Sequence, residues 1–168
     1  AEACLMAIRA RYPLGDSLGI DNLMSRAESN KIADIRLYLE AGLIYSQWND
    51  FSRAEYYLNK AIKGEPASIE TDDEAFGYST AFELTAKTRA RAAYQLGYIY
   101  GRQGQLNRSI EMSRRAIALD STLAEAYINL YNGLMLQNRD IAGAHSIIKE
   151  AFRRFPENQT IRKLHNQR

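Results

Sequence analysis

At 168 residues the chain is long enough for one ordinary domain with a real core. Apolar residues make up 46% and charged residues 25%, the balance of a soluble globular protein, and a formal charge of +2 from 22 basic and 20 acidic side chains is too small to argue for nucleic acid. No apolar run approaches the roughly 18 residues that a membrane span needs, and a single cysteine, Cys4, excludes an internal disulfide and any multi-cysteine metal site.

The first residues, AEACLMAIRARYP, hold neither an initiator Met nor a basic stretch leading into a long apolar one. The chain is therefore expected to be a piece of something longer, without a signal peptide here. Residues 1–13 read as the second helix of a pair, ending at Tyr12-Pro13. Ser17 to Glu28 form a candidate helix with Leu18, Leu23, Met24 and Ala27 on one side.

The next two expected helices run from Ile32 to Gln47 and from Ser52 to Lys63, with Asn49-Asp50 as the turn. Gly42 sits inside the first of them, where glycine costs roughly 1 kcal/mol against alanine. The stretch ASIETDDEAFGYSTAFELTAK follows Pro66. Its acidic residues Asp72, Asp73 and Glu74 lack the ligand spacing and central Gly of an EF-hand loop, so it is expected to be a solvated connection rather than a metal site. From Thr80 the pattern turns helical and continues to Gln103, roughly 36 Å of helix at 1.5 Å per residue, long enough to project past its neighbours. Leu106–Leu119, Leu123–Gln137 and Ile141–Phe155 complete the pattern, with Gly104 and Asn138-Arg139-Asp140 as turns, and Asn158–Gln167 would form a short capping helix. Ser52 with Glu55, Thr80 with Glu83, and Thr122 with Glu125 have capping-box spacing.

These pairs repeat. With an offset of 55, Gly42, Tyr45, Ala61 and Ile62 fall on Gly97, Tyr100, Ala116 and Ile117. A further 34 or 35 residues carries Gly97 to Tyr131, Tyr100 to Leu134 and Ala116 to Ala151, and Pro66 is echoed by Pro156. The first unit supplies Tyr38, Ala41, Gly42, Tyr45, Ala54, Leu58, Ala61 and Pro66. The second supplies Leu96, Gly97, Tyr100, Ala116 and ALDSTLAEAY, with Ser109 and Ser113 as departures. The third keeps Tyr127, Leu130, Leu134, Ala144, Ile148, Ala151 and Pro156, with Tyr131 in place of the small residue. In these residues the chain resembles the tetratricopeptide repeat family over about two-thirds of its length.

The resemblance implies an all-α fold: a right-handed superhelical solenoid of antiparallel helix pairs. It would comprise degenerate N-terminal helices (1–30), repeats at 32–66, 89–121 and 122–156, an insertion and helix extension at 67–88, and a C-terminal cap at 157–168. Close packing of paired helices would explain Gly42 and Gly97. Such folds line a concave groove with the first helix of each unit and use it to bind peptides or partner segments. The groove face here carries Arg36, Leu39 and Leu43 in the first unit, Arg91, Tyr94, Tyr98 and Arg102 in the second, and Ile128, Asn129 and Asn132 in the third. Tyrosine offers rigid area with a hydroxyl, arginine can grip a carboxylate, and asparagine can pair with a peptide backbone. The expected partner is thus another protein or peptide, an acidic one among the candidates. The Lys, Asn and Arg set that clamps the acidic tail of chaperones in one subtype is matched only loosely, by Arg91 and Asn129, while Leu39, Leu43, Gln95 and Glu125 hold the corresponding places, so that mode of binding is not expected. His145 and His165 sit in no metal-ligand spacing and no nucleophile elbow, phosphate loop or carboxylate pair is present, so neither an enzyme nor a cofactor is expected. Trp48 reads as a packing residue at a helix end. Self-association into a homo-oligomer, or service as the regulatory domain of a larger protein, are the alternatives.

Overall fold

The computed structural model describes residues 2–64 and 74–167, the side chains of 74–81 aside. Among the described residues nine α-helices and one 3-10 turn form, with no strand: α1 (Glu2–Arg11), a 3-10 turn (Tyr12–Leu14), α2 (Ser17–Ser29), α3 (Ile35–Gln47), α4 (Phe51–Lys63), α5 (Glu74–Arg102), α6 (Leu106–Leu119), α7 (Ala124–Gln137), α8 (Ile141–Arg154) and α9 (Gln159–Asn166). The fold is an all-α helical-repeat fold. Two compact units divide it, residues 1–92 and 93–168.

In the first unit α3 and α4 lie against each other across the short turn at 48–50, in which Asn49 takes a left-handed conformation. Their facing stripes bury Ala41, Tyr45, Ala54, Leu58 and Ala61 completely. Gly42 is where the helices meet most closely: a Cβ there would stand 2.6 Å from Leu58 Cγ and 3.2 Å from the Leu58 backbone nitrogen. The helical defect is therefore the gap that admits Leu58.

Polar contacts then tie α1 and α2 onto this pair. Arg9 donates two hydrogen bonds to the Glu40 carboxylate, at 2.9 and 3.2 Å, joining α1 to α3. Asp21 of α2 accepts hydrogen bonds through one oxygen from the hydroxyls of Tyr45 (2.7 Å) and Tyr57 (2.9 Å). The two tyrosine rings stack with centroids 5.6 Å apart, and the Arg53 guanidinium lies 5.1 Å over the Tyr45 ring. Trp48 packs at the helix end as expected, stacked on Tyr12 and edge-on to Tyr45. Nearby, Glu28 accepts from both the Tyr38 hydroxyl (3.1 Å) and Lys60 Nζ (2.6 Å).

In the second unit α7 packs between α6 and α8, and α9 closes the far side of α8. Tyr127, Leu130, Ile148 and Ile161 are at most 1% exposed, and His165 of α9 stacks on Phe152 of α8. Tyr131, which occupies the place of Gly42 and Gly97, is itself a core residue. The close approach of α7 lies instead at Gly133 and faces the preceding helix rather than its partner α8: a Cβ there would stand 3.0 Å from Ile110 Cγ1 of α6.

Two sequence readings need correction. The capping boxes do not form. Asp50, not Ser52, caps α4 by accepting from the Arg53 N–H; Leu123 precedes α7, with Thr122 instead donating to Asp120; and Thr80 lies inside α5. The Asp50 carboxylate carries the full charge that a helix N-terminus favours, whereas Asp120 accepts from the Thr122 N–H and hydroxyl ahead of α7, whose start has no side-chain cap. The long helix also begins at Glu74 rather than Thr80, making it 29 residues. The part of the expected insertion at 65–73 lies outside the described residues.

Substituting Gly42→Ala is expected to lower the urea midpoint, with about 1–3 kcal/mol lost because the new methyl meets a fully buried Leu58. Burial, then the hydrogen bond to Asp21, raises the pKa of both Tyr45 and Tyr57 above the usual tyrosine range. A pKa raised on folding means that the protonated hydroxyls favour the native state. This contribution is complete below about pH 10, the unfolded value, and is lost as pH rises further. Urea unfolding between pH 8 and 11 should therefore show falling stability at the alkaline end. Tyr57→Phe should cost about 1 kcal/mol at pH 7 and flatten that decline.

Candidate interaction surface

Helix α5 presents Arg91, Tyr94, Tyr98 and Arg102 at intervals of three, four and four residues, one stripe of a 3.6-residue helix. Arg91 belongs to the first unit and is exposed; the other three belong to the second. Tyr98 is 39% exposed, and Arg102 lies over its ring at 5.9 Å and donates to its hydroxyl at 3.2 Å. Tyr94 is half-buried. Its burial, followed by the negative charge of Glu125 on α7, raises its pKa, so its hydroxyl stays protonated at neutral pH.

Helix α7 runs beside this stripe, and the two meet at Gly97. A Cβ on Gly97 would stand 3.0 Å from both Asn129 Nδ2 and Ser113 Oγ. Three helices are joined there by a polar relay. Ser109 donates to the Gly97 carbonyl at 2.7 Å, Ser113 donates to the Ser109 carbonyl at 2.8 Å, and Asn129 donates to the Ser113 hydroxyl at 3.0 Å. Ser109 and Ser113 are 2% and 0% exposed. The two serines that depart from the repeat pattern are thus the residues that receive Asn129. Ser113 stands sixteen residues after Gly97, as Leu58 stands after Gly42, so a hydroxymethyl replaces the isobutyl group and leaves room for the asparagine.

The expected groove residues accordingly fall into three groups. Tyr98 and Arg102 on α5 and Asn132 on α7 are exposed in the second unit, and Tyr94 is half-buried. Asn129 forms the floor between α5 and α7, and Ile128 packs against the core. In the first unit Leu39 is 7% exposed and belongs to the core, Leu43 is half-buried, and Arg36 is held by Asp34. Asp34 accepts from the Arg36 and Leu37 backbone N–H groups through one oxygen and from the Arg36 guanidinium, at 2.7 Å, through the other. Arg36 is thereby part of the start of α3. Sequence reading passed over Glu125 as a neighbour of Tyr94; its position one turn before Asn129 on α7 was the available signal. Among the described residues no three His, Cys, Asp or Glu side chains converge on a point that could hold a metal, and no helix is long and apolar enough to cross a membrane.

Residues 35–67 and 90–123 each match the family model described as tetratricopeptide repeat. These spans correspond to α3 with α4 and to the second half of α5 with α6. In structure the chain is similar to one in the crystal structure of the APC/C hetero-tetramer Cut9–Hcn1, with a TM-score of 0.67 and 15% sequence identity, a likeness of fold alone. The match covers 97% of this chain and 28% of that one. No curated protein matches the chain in sequence.

Ser113→Ala is expected to cost about 1–3 kcal/mol, because it leaves the Asn129 amide without an acceptor in a buried seam. A double-mutant cycle with Asn129→Ala, read by urea unfolding, should show the second substitution costing less on the Ser113→Ala background than alone.

Proposed function

We propose that this chain, which belongs to the tetratricopeptide repeat family and is a protein-interaction scaffold, binds a segment of another protein along the α5–α7 face of its second unit. The observation that carries this reading is the exposed Tyr98 ring on α5, steadied by Arg102, on a helix that α7 reaches through Asn129 at Gly97, with Asn132 of α7 also exposed. Tyrosine buries a large area at the cost of only two side-chain torsions, and a carboxamide can both donate to and accept from an extended backbone. The seam beneath supports the same reading. Gly97, Ser109, Ser113 and Asn129 fix the spacing of α5 and α7 through satisfied hydrogen bonds, so a partner would meet a surface already in place.

Binding would proceed by stacking a partner side chain against the Tyr98 ring while Asn132 pairs with its main chain. Arg102 would add a charge-assisted contact to a nearby carboxylate. Tyr94 would border the site with a hydroxyl that remains a donor across the physiological range.

The test is affinity capture from a native extract with the purified chain and its Tyr98→Ala/Asn132→Ala variant, followed by titration of the captured partner. Wild type is expected to retain a partner that the variant binds at least about tenfold more weakly, the effect of truncating a tyrosine anchor. Circular dichroism of the variant should match wild type, since both side chains are exposed. Equal titration curves for the two proteins would move the site elsewhere.

A further inference from the structure

The near-neutral charge of the whole chain conceals a division. Residues 93–168 carry eleven Lys and Arg against six Asp and Glu, a formal +5, whereas residues 1–92 carry −3. Within the second unit, the turn after α5 and the turn after α7 border an open pocket of about 460 Å³. Arg108 and Asn107 form one wall, at the start of α6, and Leu136, Gln137 and Arg139 form the other, at the end of α7.

Each wall is held in place. The Arg108 guanidinium lies 3.8 Å over the Tyr100 ring and donates to Gln105 at 2.8 Å. Gln137 donates to the Asn107 side chain across the pocket, which ties α7 to α6. Asn138 takes a left-handed conformation and turns the chain so that Arg139 stands exposed beside it. Leu136 is 71% exposed, an apolar side chain at the mouth of a pocket whose other liners are mostly polar. The carboxylates close by in sequence are Asp140, engaged in capping α8 through the Gly143 N–H, and Glu111, one turn along α6 from Asn107.

We propose that the pocket between these two turns is a docking site for an acidic segment of a partner protein, one that places an apolar side chain on Leu136 and carboxylates against Arg139 and Arg108. Charge complementarity selects this occupant. A segment with Asp or Glu flanking a Leu or Phe would be drawn to the positive unit and then anchored by the apolar contact, whereas a basic segment would be repelled. The Asn107–Gln137 pair supplies amides for its backbone. The site is separate from the Tyr98–Asn132 face and does not rest on that reading.

Fluorescence polarisation with the full chain tests it. The probe is a fluorescein-labelled hexapeptide, Asp-Glu-Leu-Asp-Glu-Leu; the controls are Asn-Gln-Leu-Asn-Gln-Leu and Asp-Glu-Gly-Asp-Glu-Gly. The acidic leucine peptide is expected to bind most tightly and to weaken as salt rises from about 0.05 to 0.3 M, as a charge-steered contact does. Leu136→Ser and Arg139→Glu, both at exposed positions, should each weaken it about fivefold or more. Tyr98→Ala/Asn132→Ala should leave it within about twofold, as expected of an independent site. No binding, equal affinity for the three peptides, or affinity unmoved by both pocket substitutions would each overturn the proposal. So would loss of binding only in the Tyr98→Ala/Asn132→Ala variant, which would put the peptide on the other face. Binding of a labelled oligonucleotide, lost in Arg139→Glu, with none of the acidic peptide would likewise overturn it.

Discussion

How near one helix can lie to its partner governs the rest of this molecule. A single amphipathic helix pair exposes as much apolar surface as it covers, so each pair must press closely together and then offer its outer faces to the next. Gly42 meets that demand by leaving space for Leu58, and Gly97 meets it by leaving space for Ser113 and Asn129. Each glycine gives up helix propensity on the order of 1 kcal/mol. The packing it admits offsets this, because Leu58 and Ser113 are fully buried.

The two sites solve the same steric problem with different chemistry. At Gly42 the contact is aliphatic, and the polar groups of the first unit gather instead around Asp21, which holds the hydroxyls of Tyr45 and Tyr57. At Gly97 the polar groups enter the seam itself. A buried hydroxyl or amide is tolerated only when its partners are present, and here each one has them. Such a relay is more directional than aliphatic packing: it specifies not only the distance between α5 and α7 but also their register.

That register has a consequence at the surface. Beyond Asn129, which packs onto Gly97, Asn132 and then Leu136 one turn further stand exposed on α7, and Arg139 stands exposed in the turn that follows. The two proposed contact regions therefore share a scaffold without sharing residues. One rests on an aromatic ring and an amide, the other on an exposed leucine between two arginines. The positive charge of the second unit is the ground on which an acidic partner is proposed for the second of them.

The sequence by itself determined the helices and their pairing. Apolar spacing near 3.6 residues, the offset of 55 between Gly42 and Gly97, and turn residues at Asn49-Asp50, Gly104 and Asn138–Asp140 are local signals, so the boundaries of α4, α6, α7 and α8 were legible to within a residue or so. Helix starts were less so, because capping is a competition among neighbouring side chains that spacing alone does not decide: Asp50 prevailed over Ser52. Only the tertiary structure decided what each face residue does. Leu39 and Arg36 share a helical stripe with the exposed positions, yet one is in the core and the other is bound to Asp34. Ser109 and Ser113 looked like lapses in a pattern and prove to be the acceptors and donors that seat Asn129. The physical reason is that a helix period states which way a side chain points, whereas burial and hydrogen bonding depend on what a helix distant in sequence brings to meet it.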